Sequence, residues 1–102
     1  MKYRVELASR AVDSLAKLPR KVQSRLAEQI ASLADNPRPP GARAIKGYKD
    51  CYRIRQGDYR VVYSVLDDKL FVLVVRAGHR KDVYDRMEMV ARMIQRFRES
   101  GA

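Results

Sequence analysis

Residues 51–66, CYRIRQGDYRVVYSVL, constrain the fold of this chain more than any other stretch. Two runs rich in β-branched and aromatic residues flank Gly57 and Asp58, which suits two strands folded about a tight turn. Alternation puts Arg53 and Arg55 on one face and Tyr52 and Ile54 on the other. With Gly57 and Asp58 as the turn residues, Gln56 pairs with Tyr59 and Arg55 faces Arg60, so three guanidinium groups crowd one side of the hairpin. Like charges opposite each other are destabilising, and folding alone does not explain them. An anion among them would.

The size and charge of the chain agree with that reading. Its 102 residues suffice for one core and not two, so a single domain spanning 1–102 is expected, with 85–102 as a C-terminal helical extension. A formal net charge of +10 calls for a polyanionic partner, most simply nucleic acid, with solubility as the plain alternative. Arginine supplies most of the positive charge, which favours planar, bidentate recognition of phosphate. Cys51 is the only cysteine, so an internal disulfide is excluded and a reducing, cytoplasmic setting fits. No stretch has the pattern of a signal peptide or the length of a membrane span.

Along the chain, Tyr3, Val5 and Leu7 alternate with Arg4 and Glu6 as in a half-buried strand. Ser9 offers an N-cap for a helix carrying Val12, Leu15 and Leu18 on one face. Pro19 ends that helix and suits the first turn of a second, which runs to about Ala34 with Val22, Leu26, Ile30 and Leu33 at helical spacing. The proline-rich stretch DNPRPPG, residues 35–41, is a loop. A short edge strand follows over 43–46, then the arginine hairpin, then a second turn at Asp67 and Asp68. Residues 70–77 read as a strand apolar on both faces, central in an antiparallel meander. The expected fold is α+β: an N-terminal strand, a two-helix hairpin, a three- to four-stranded antiparallel meander with helices on one face, and a C-terminal helix. In that last helix, capped by Asp82, the residues Val83, Met87, Val90, Ile94 and Phe97 form one apolar seam that packs on its own domain or on a partner.

Chemistry concentrates at the hairpin. His79 and Arg80 leave the neighbouring strand beside it, and Tyr84 follows one helical turn after Arg80. Arginines, an imidazole and a phenol can hold a phosphodiester, spread charge over a pentacovalent transition state and stack on a base. Like charge around His79 would favour its neutral form, suited to a base, although a lone histidine is more often structural. Histidines and cysteines at metal-ligand spacing are absent, as are a P-loop and a GxGxxG, so neither a metal nor another cofactor is expected.

The order of elements and the motifs CYRIRQGDYRVVY and GHRKDVY resemble the RelE/ParE superfamily of toxins from toxin-antitoxin modules, over residues 2–84. Within it the chain is similar to the RelE branch, whose members cleave messenger RNA in the ribosomal A site. The resemblance implies a metal-independent endoribonuclease in which the substrate's 2′-hydroxyl attacks the adjacent phosphate. Matched residue by residue, it implies that Arg60 and Arg80 stabilise the scissile phosphate and that Tyr84 orients or stacks on a base. Arg53 and Arg55, where some relatives carry lysines, would position the RNA, with Lys46 and Lys81 binding it as well. Arginines stay protonated, so the general base would be His79, Tyr84 or none, positioning and electrostatics then supplying the rate. The implied partners are the ribosome, messenger RNA and a RelB-like antitoxin that engages the seam of Val83, Met87, Val90 and Ile94. Two rivals stand beside this reading: a ParE-like poison of DNA gyrase on the same fold, and an RNA-binding module that holds backbone without cutting it.

Overall fold

The computed structural model describes residues 2–79, 83–84 and 86–99. In chain order its elements are β1 (Arg4–Leu7), α1 (Ser9–Ala16), α2 (Arg20–Ser32), β2 (Arg43–Ala44), β3 (Cys51–Gln56), β4 (Tyr59–Leu66), β5 (Phe71–His79) and α3 (Met87–Glu99). The strands lie in the order β1-β5-β4-β3-β2 in one sheet. Strands β2 to β5 form the antiparallel meander that the tight turns predict, and β1 pairs in parallel with β5. That makes the sheet mixed, and it places β4 at the centre with β5 beside it.

Strands β4 and β5 are apolar on both faces over most of their length, so each face needs a cover. The expectation of helices on one face is corrected here. Helices α1 and α2 cover one face, burying Ala11, Leu26, Ile30 and Leu33 against Ile54, Val61, Tyr63, Val65, Val72 and Val74. Helix α3 covers the other, where Val83, Met87, Val90 and Ile94 pack on Cys51, Val62, Leu66, Phe71, Leu73 and Val75.

A β-bulge in β5, opposite Val62 and Tyr63 of β4, shifts the register between these strands: Tyr63 pairs with Val74, but Val62 pairs with Arg76. The extra residue reverses the alternation of β5 beyond Val74. Ala77 accordingly joins Val72 and Val74 under α1 and α2, where unbroken alternation would have put Arg76.

The helix boundaries differ from the sequence pattern in small ways. Ala8, not Ser9, is the N-cap of α1 and makes no side-chain capping bond. The buried stripe of α1 is therefore Ala11 with Leu15 and Leu18 beside it, while Val12 is half exposed. Pro19 is the N-cap of α2, which ends at Ser32. The Gln23 amide donates to the Leu18 carbonyl at 2.8 Å and the Ala16 carbonyl at 3.2 Å, satisfying groups left open where α1 stops.

The proline-rich loop is tied to the sheet by polar bonds. Tyr63, fully buried, donates its hydroxyl to the Pro37 carbonyl at 2.7 Å. Arg38 lies over the Tyr52 ring at 5.0 Å and donates to Asp67 through two bonds of 3.1 and 2.7 Å. Tyr3 donates to the same carboxylate at 2.6 Å. Asp67 is thus the acceptor that joins the residue before β1, the loop and the β4–β5 turn, and its hydrogen bonds from Arg38 and then Tyr3 hold its carboxyl down to about 2.

Candidate nucleic-acid interface

The hairpin forms with the register that its turn residues imply: Gln56 pairs with Tyr59, and Arg55 with Arg60. Cys51, Arg53 and Arg55 share a face of β3, and this is the face that α3 covers. The cover runs out along the strand. Cys51 is buried beneath α3, Arg53 is half-buried and Arg55 is exposed, so the apolar core gives way to guanidinium groups toward the hairpin tip.

A fourth arginine joins them from the sheet edge. Arg43 on β2 pairs with Arg53, and the two line a cavity of about 210 Å³ with Arg55, Pro40 and Gly41. The sequence pattern marks Arg43 only as part of an edge strand. Its place follows from the β2–β3 register, which the irregular stretch between these strands hides, although β2 is limited to Arg43–Ala44.

Two details show how the guanidinium groups are held. The Arg60 Nη1 donates to the Gly57 carbonyl at 3.0 Å and the Tyr59 carbonyl at 3.2 Å, anchoring that side chain over the turn. The Arg53 Nη1 is shielded from solvent and has no hydrogen-bond partner among the described residues. An unsatisfied buried donor costs about 1–3 kcal/mol, more when charged, which an arriving anion would relieve.

His79 is not part of this cluster. Because of the bulge, Gly78 pairs with Arg60 and His79 pairs with Tyr59, so the imidazole stands on the opposite face with its ring edge-on to Tyr59 at 6.0 Å between centroids. Unbroken alternation of β5 would have turned His79 toward the arginines. Among the described residues, the hairpin arginines lie across the sheet from the imidazole.

Lys46 is exposed in the turn after β2. Arg80 and Lys81 lie outside the described residues, as does Asp82, which the sequence pattern marks as a helix cap; α3 begins at Met87. Tyr84 is 39% exposed in a turn and not on a helix, which corrects the expected helical spacing from Arg80. Its neighbour Val83 is buried, and a Cβ built on Gly78 would lie 3.8 Å from its Cγ1. The chain thus returns over the residue paired with Arg60, which brings the Tyr84 segment back to the arginine face.

The seam expected to meet a partner is buried in its own domain: Val83, Met87, Val90 and Ile94 are each at most 5% exposed. Phe97, at 37% exposed, stacks on Phe71 with 5.5 Å between centroids. At the end of α3, Arg98 donates to the Asp50 carboxylate at 2.5 Å, clipping the helix to the β2–β3 connection. Burial beneath this helix pushes the Cys51 thiol up to about 11.

Four guanidinium groups on three adjacent strands make a surface with the chemistry to hold a phosphodiester and to stabilise charge developing on one. Proton removal is less well served, since arginine stays protonated and the imidazole faces away. Among the described residues, no three His, Cys, Asp or Glu side chains gather in a group that could hold a metal ion.

Comparisons with known proteins converge on the same class. The family model for the ParE toxin of type II toxin-antitoxin systems, parDE, matches residues 5–84. The mRNA interferase toxin RelE of Escherichia coli K12 is 32% identical over 98 residues, covering 94% of this chain and 98% of that protein. A solved structure of a mutant E. coli toxin RelE in the free state matches with a TM-score of 0.70 and 28% identity, over 94% of this chain and 98% of that one. The archaeal RelE-RelB complex from Pyrococcus horikoshii matches with a TM-score of 0.68 and 31% identity, over 80% and 99% of the two chains. These likenesses, with the sheet and its helices, define a toxin fold of type II toxin-antitoxin systems. Within that class the chain belongs to the RelE/ParE family and is RelE-like.

Proposed function

We propose that this chain is a ribosome-dependent endoribonuclease that cuts messenger RNA in the A site and is neutralised by a RelB-like antitoxin. The observation that carries the reading is the row of Arg43, Arg53, Arg55 and Arg60 on one face, with a shielded Arg53 donor awaiting an acceptor. The similar E. coli K12 protein is an mRNA interferase, which agrees. Arg60 and Arg80 stabilise the scissile phosphate while the 2′-hydroxyl attacks it and the 5′-oxygen of the next nucleotide leaves. Tyr84 stacks on a base beside the cut. Arg53 and Arg55, with Arg43, hold the backbone, and Lys46 and Lys81 extend the basic track. With His79 turned away, alignment and charge stabilisation supply most of the rate, and metal takes no part.

Antitoxin control falls on α3. The apolar seam of Val83, Met87, Val90 and Ile94 becomes available to a partner only when α3 leaves the sheet, so neutralisation proceeds by displacing that helix. The protein acts in the cytoplasm, where ribosomes are.

The test is expression of the wild type beside Arg60→Ala and Arg80→Ala, with growth and message cleavage followed by primer extension. Loss of one phosphate-stabilising group lowers the rate by about 100- to 1000-fold. Toxicity that survives both substitutions overturns the site. The ParE description of the matching family model favours a second reading, a DNA gyrase poison. Gyrase-dependent DNA cleavage without message cleavage would select it.

A further inference from the structure

The two helical covers rest on unlike floors. Beneath α1 and α2 the floor is apolar, and the one hydroxyl it buries, that of Tyr63, is paired with the Pro37 carbonyl. Beneath α3 lies Ser64, fully buried on the central strand β4, and its hydroxyl has no hydrogen-bond partner among the described residues. Ser64 pairs with Cys51 of β3 and shares the parity of Val62 and Leu66, so it belongs to the layer that α3 covers. A buried hydroxyl without a partner costs free energy that water would return if the helix lifted.

The two ends of α3 differ as well. Ahead of the helix, Val83 is buried on the sheet, and Arg86 takes a left-handed backbone conformation, with φ of +54°, just before Met87. That conformation is unfavourable for a residue with a side chain and persists only while its surroundings hold it. At the far end, Arg98 donates to the Asp50 carboxylate at 2.5 Å and to the Lys49 carbonyl at 3.4 Å. Asp50 is itself left-handed, with φ of +62°, and its carbonyl accepts the Val65 amide of β4 at 3.0 Å. The sheet therefore holds the acceptor in place, and Arg98 is the partner that moves.

We propose that α3 is a hinged lid, which turns about Arg86, lifts off Ser64 while the rest of the sheet stays folded, and is latched shut by Arg98 on Asp50. Lifting exposes the apolar stripe of Met87, Val90 and Ile94, which opposes it. Hydration of the Ser64 hydroxyl and relaxation of Arg86 offset part of that cost, so the closed lid is held less firmly than its apolar area implies. The latch then sets how often the lid opens. A partner that needs α3 displaced binds more weakly in proportion to the closed fraction, so the latch tunes its apparent affinity. In that role the lid rests on the antitoxin reading above, but its opening is a property of the chain alone.

Labelling of Cys51, the only thiol of the chain, by a disulfide reagent reads the lid, because this residue is buried beneath α3. The rates are compared at one pH on the full chain, with thermal melts alongside. Arg98→Ala and Asp50→Gly each remove the latch, and glycine keeps the left-handed backbone at position 50. With 28% and 31% of the two side chains exposed, each change should speed labelling by about two- to fivefold. The double variant should be no faster than the quicker single one, since both remove the same contact. Ser64→Ala should slow labelling by about fivefold or more. Leu26→Ala, under α2, should lower the melting temperature and leave the labelling rate unchanged. Labelling that follows the melting temperature through every variant means that only global unfolding reaches Cys51, and overturns the lid. Additive acceleration by the two latch variants, or an unchanged rate in Ser64→Ala, overturns the mechanism assigned to it. No antitoxin enters these measurements, so their failure is distinct from failure of the antitoxin reading.

Discussion

The two faces of the sheet use the same strands for opposite ends. Under α1 and α2, the side chains at alternate positions are Ile54, Val61, Tyr63, Val65, Val72, Val74 and Ala77, a continuous apolar layer with its loop fastened by Tyr63 and the Arg38–Asp67 pair. Under α3 the layer stops partway, and the same alternation continues into Arg53, Arg55 and Arg60. One face is finished by its own chain. The other is complete only over the part that α3 reaches, and its remainder carries charge that the fold does not neutralise. Burial supplies stability on the first face and leaves room for binding on the second, since apolar cover and exposed guanidinium groups cannot share one area.

Large-to-small changes in each core should separate the faces most strongly. Leu26→Ala under α2 is expected to lower global stability by about 2–5 kcal/mol in denaturant unfolding. Ile94→Ala under α3 should open that helix locally, seen as faster labelling of the Cys51 thiol by a disulfide reagent while the rest of the sheet stays protected. Equal global loss, with no change at Cys51, would mean that both faces unfold as one unit.

Charge removal comes next. Arg53→Ala/Arg55→Ala should not lower unfolding stability, because these side chains repel their neighbours and the shielded Arg53 donor, which costs about 1–3 kcal/mol, goes with them. RNA affinity should fall, and its dependence on salt should flatten by roughly 0.7 in log-log slope for each phosphate no longer neutralised. A destabilised fold with unchanged RNA binding would reverse the division of labour between the faces.

Smaller effects sharpen the account of the finished face. Tyr63→Phe removes a buried hydroxyl and leaves the Pro37 carbonyl without its donor, so a loss of about 1–2 kcal/mol is expected in thermal or urea unfolding.

Smallest is the Arg38–Asp67 pair, which is partly exposed and screened, worth about 0.2–1 kcal/mol. Asp67 is held down to about 2 in the fold, against about 4 in an unfolded chain. Its stabilisation is therefore full above the unfolded value and disappears as pH falls from about 4 toward 2. Comparing Asp67→Asn with wild type across that range should show a stability gap that closes on acidification.

Much of this architecture is legible in local pattern. Period-two alternation and the Gly57-Asp58 turn place Arg55 opposite Arg60 without help from the rest of the chain, since both residues lie within one hairpin. Helical spacing likewise identifies Leu26, Ile30, Val90 and Ile94 as core. The motifs that resemble RelE toxins carry the family, which the comparisons bear out. Long-range relations are what local pattern leaves open. Which strand β1 would join, and which face α3 would cover, depend on packing between residues far apart in sequence.

His79 and Arg43 make the division concrete. Both are visible in the sequence as residues near the arginine hairpin, yet one is excluded from the cluster and the other belongs to it. The chain by itself determined the hairpin, its register and its three guanidinium groups, because adjacent residues and a tight turn suffice for those. Only the tertiary structure decided the membership of the arginine cluster. A single inserted residue in β5 reverses which side chains face which way, and the pairing of β2 with β3 brings Arg43 beside Arg53 across a connection with no regular pattern.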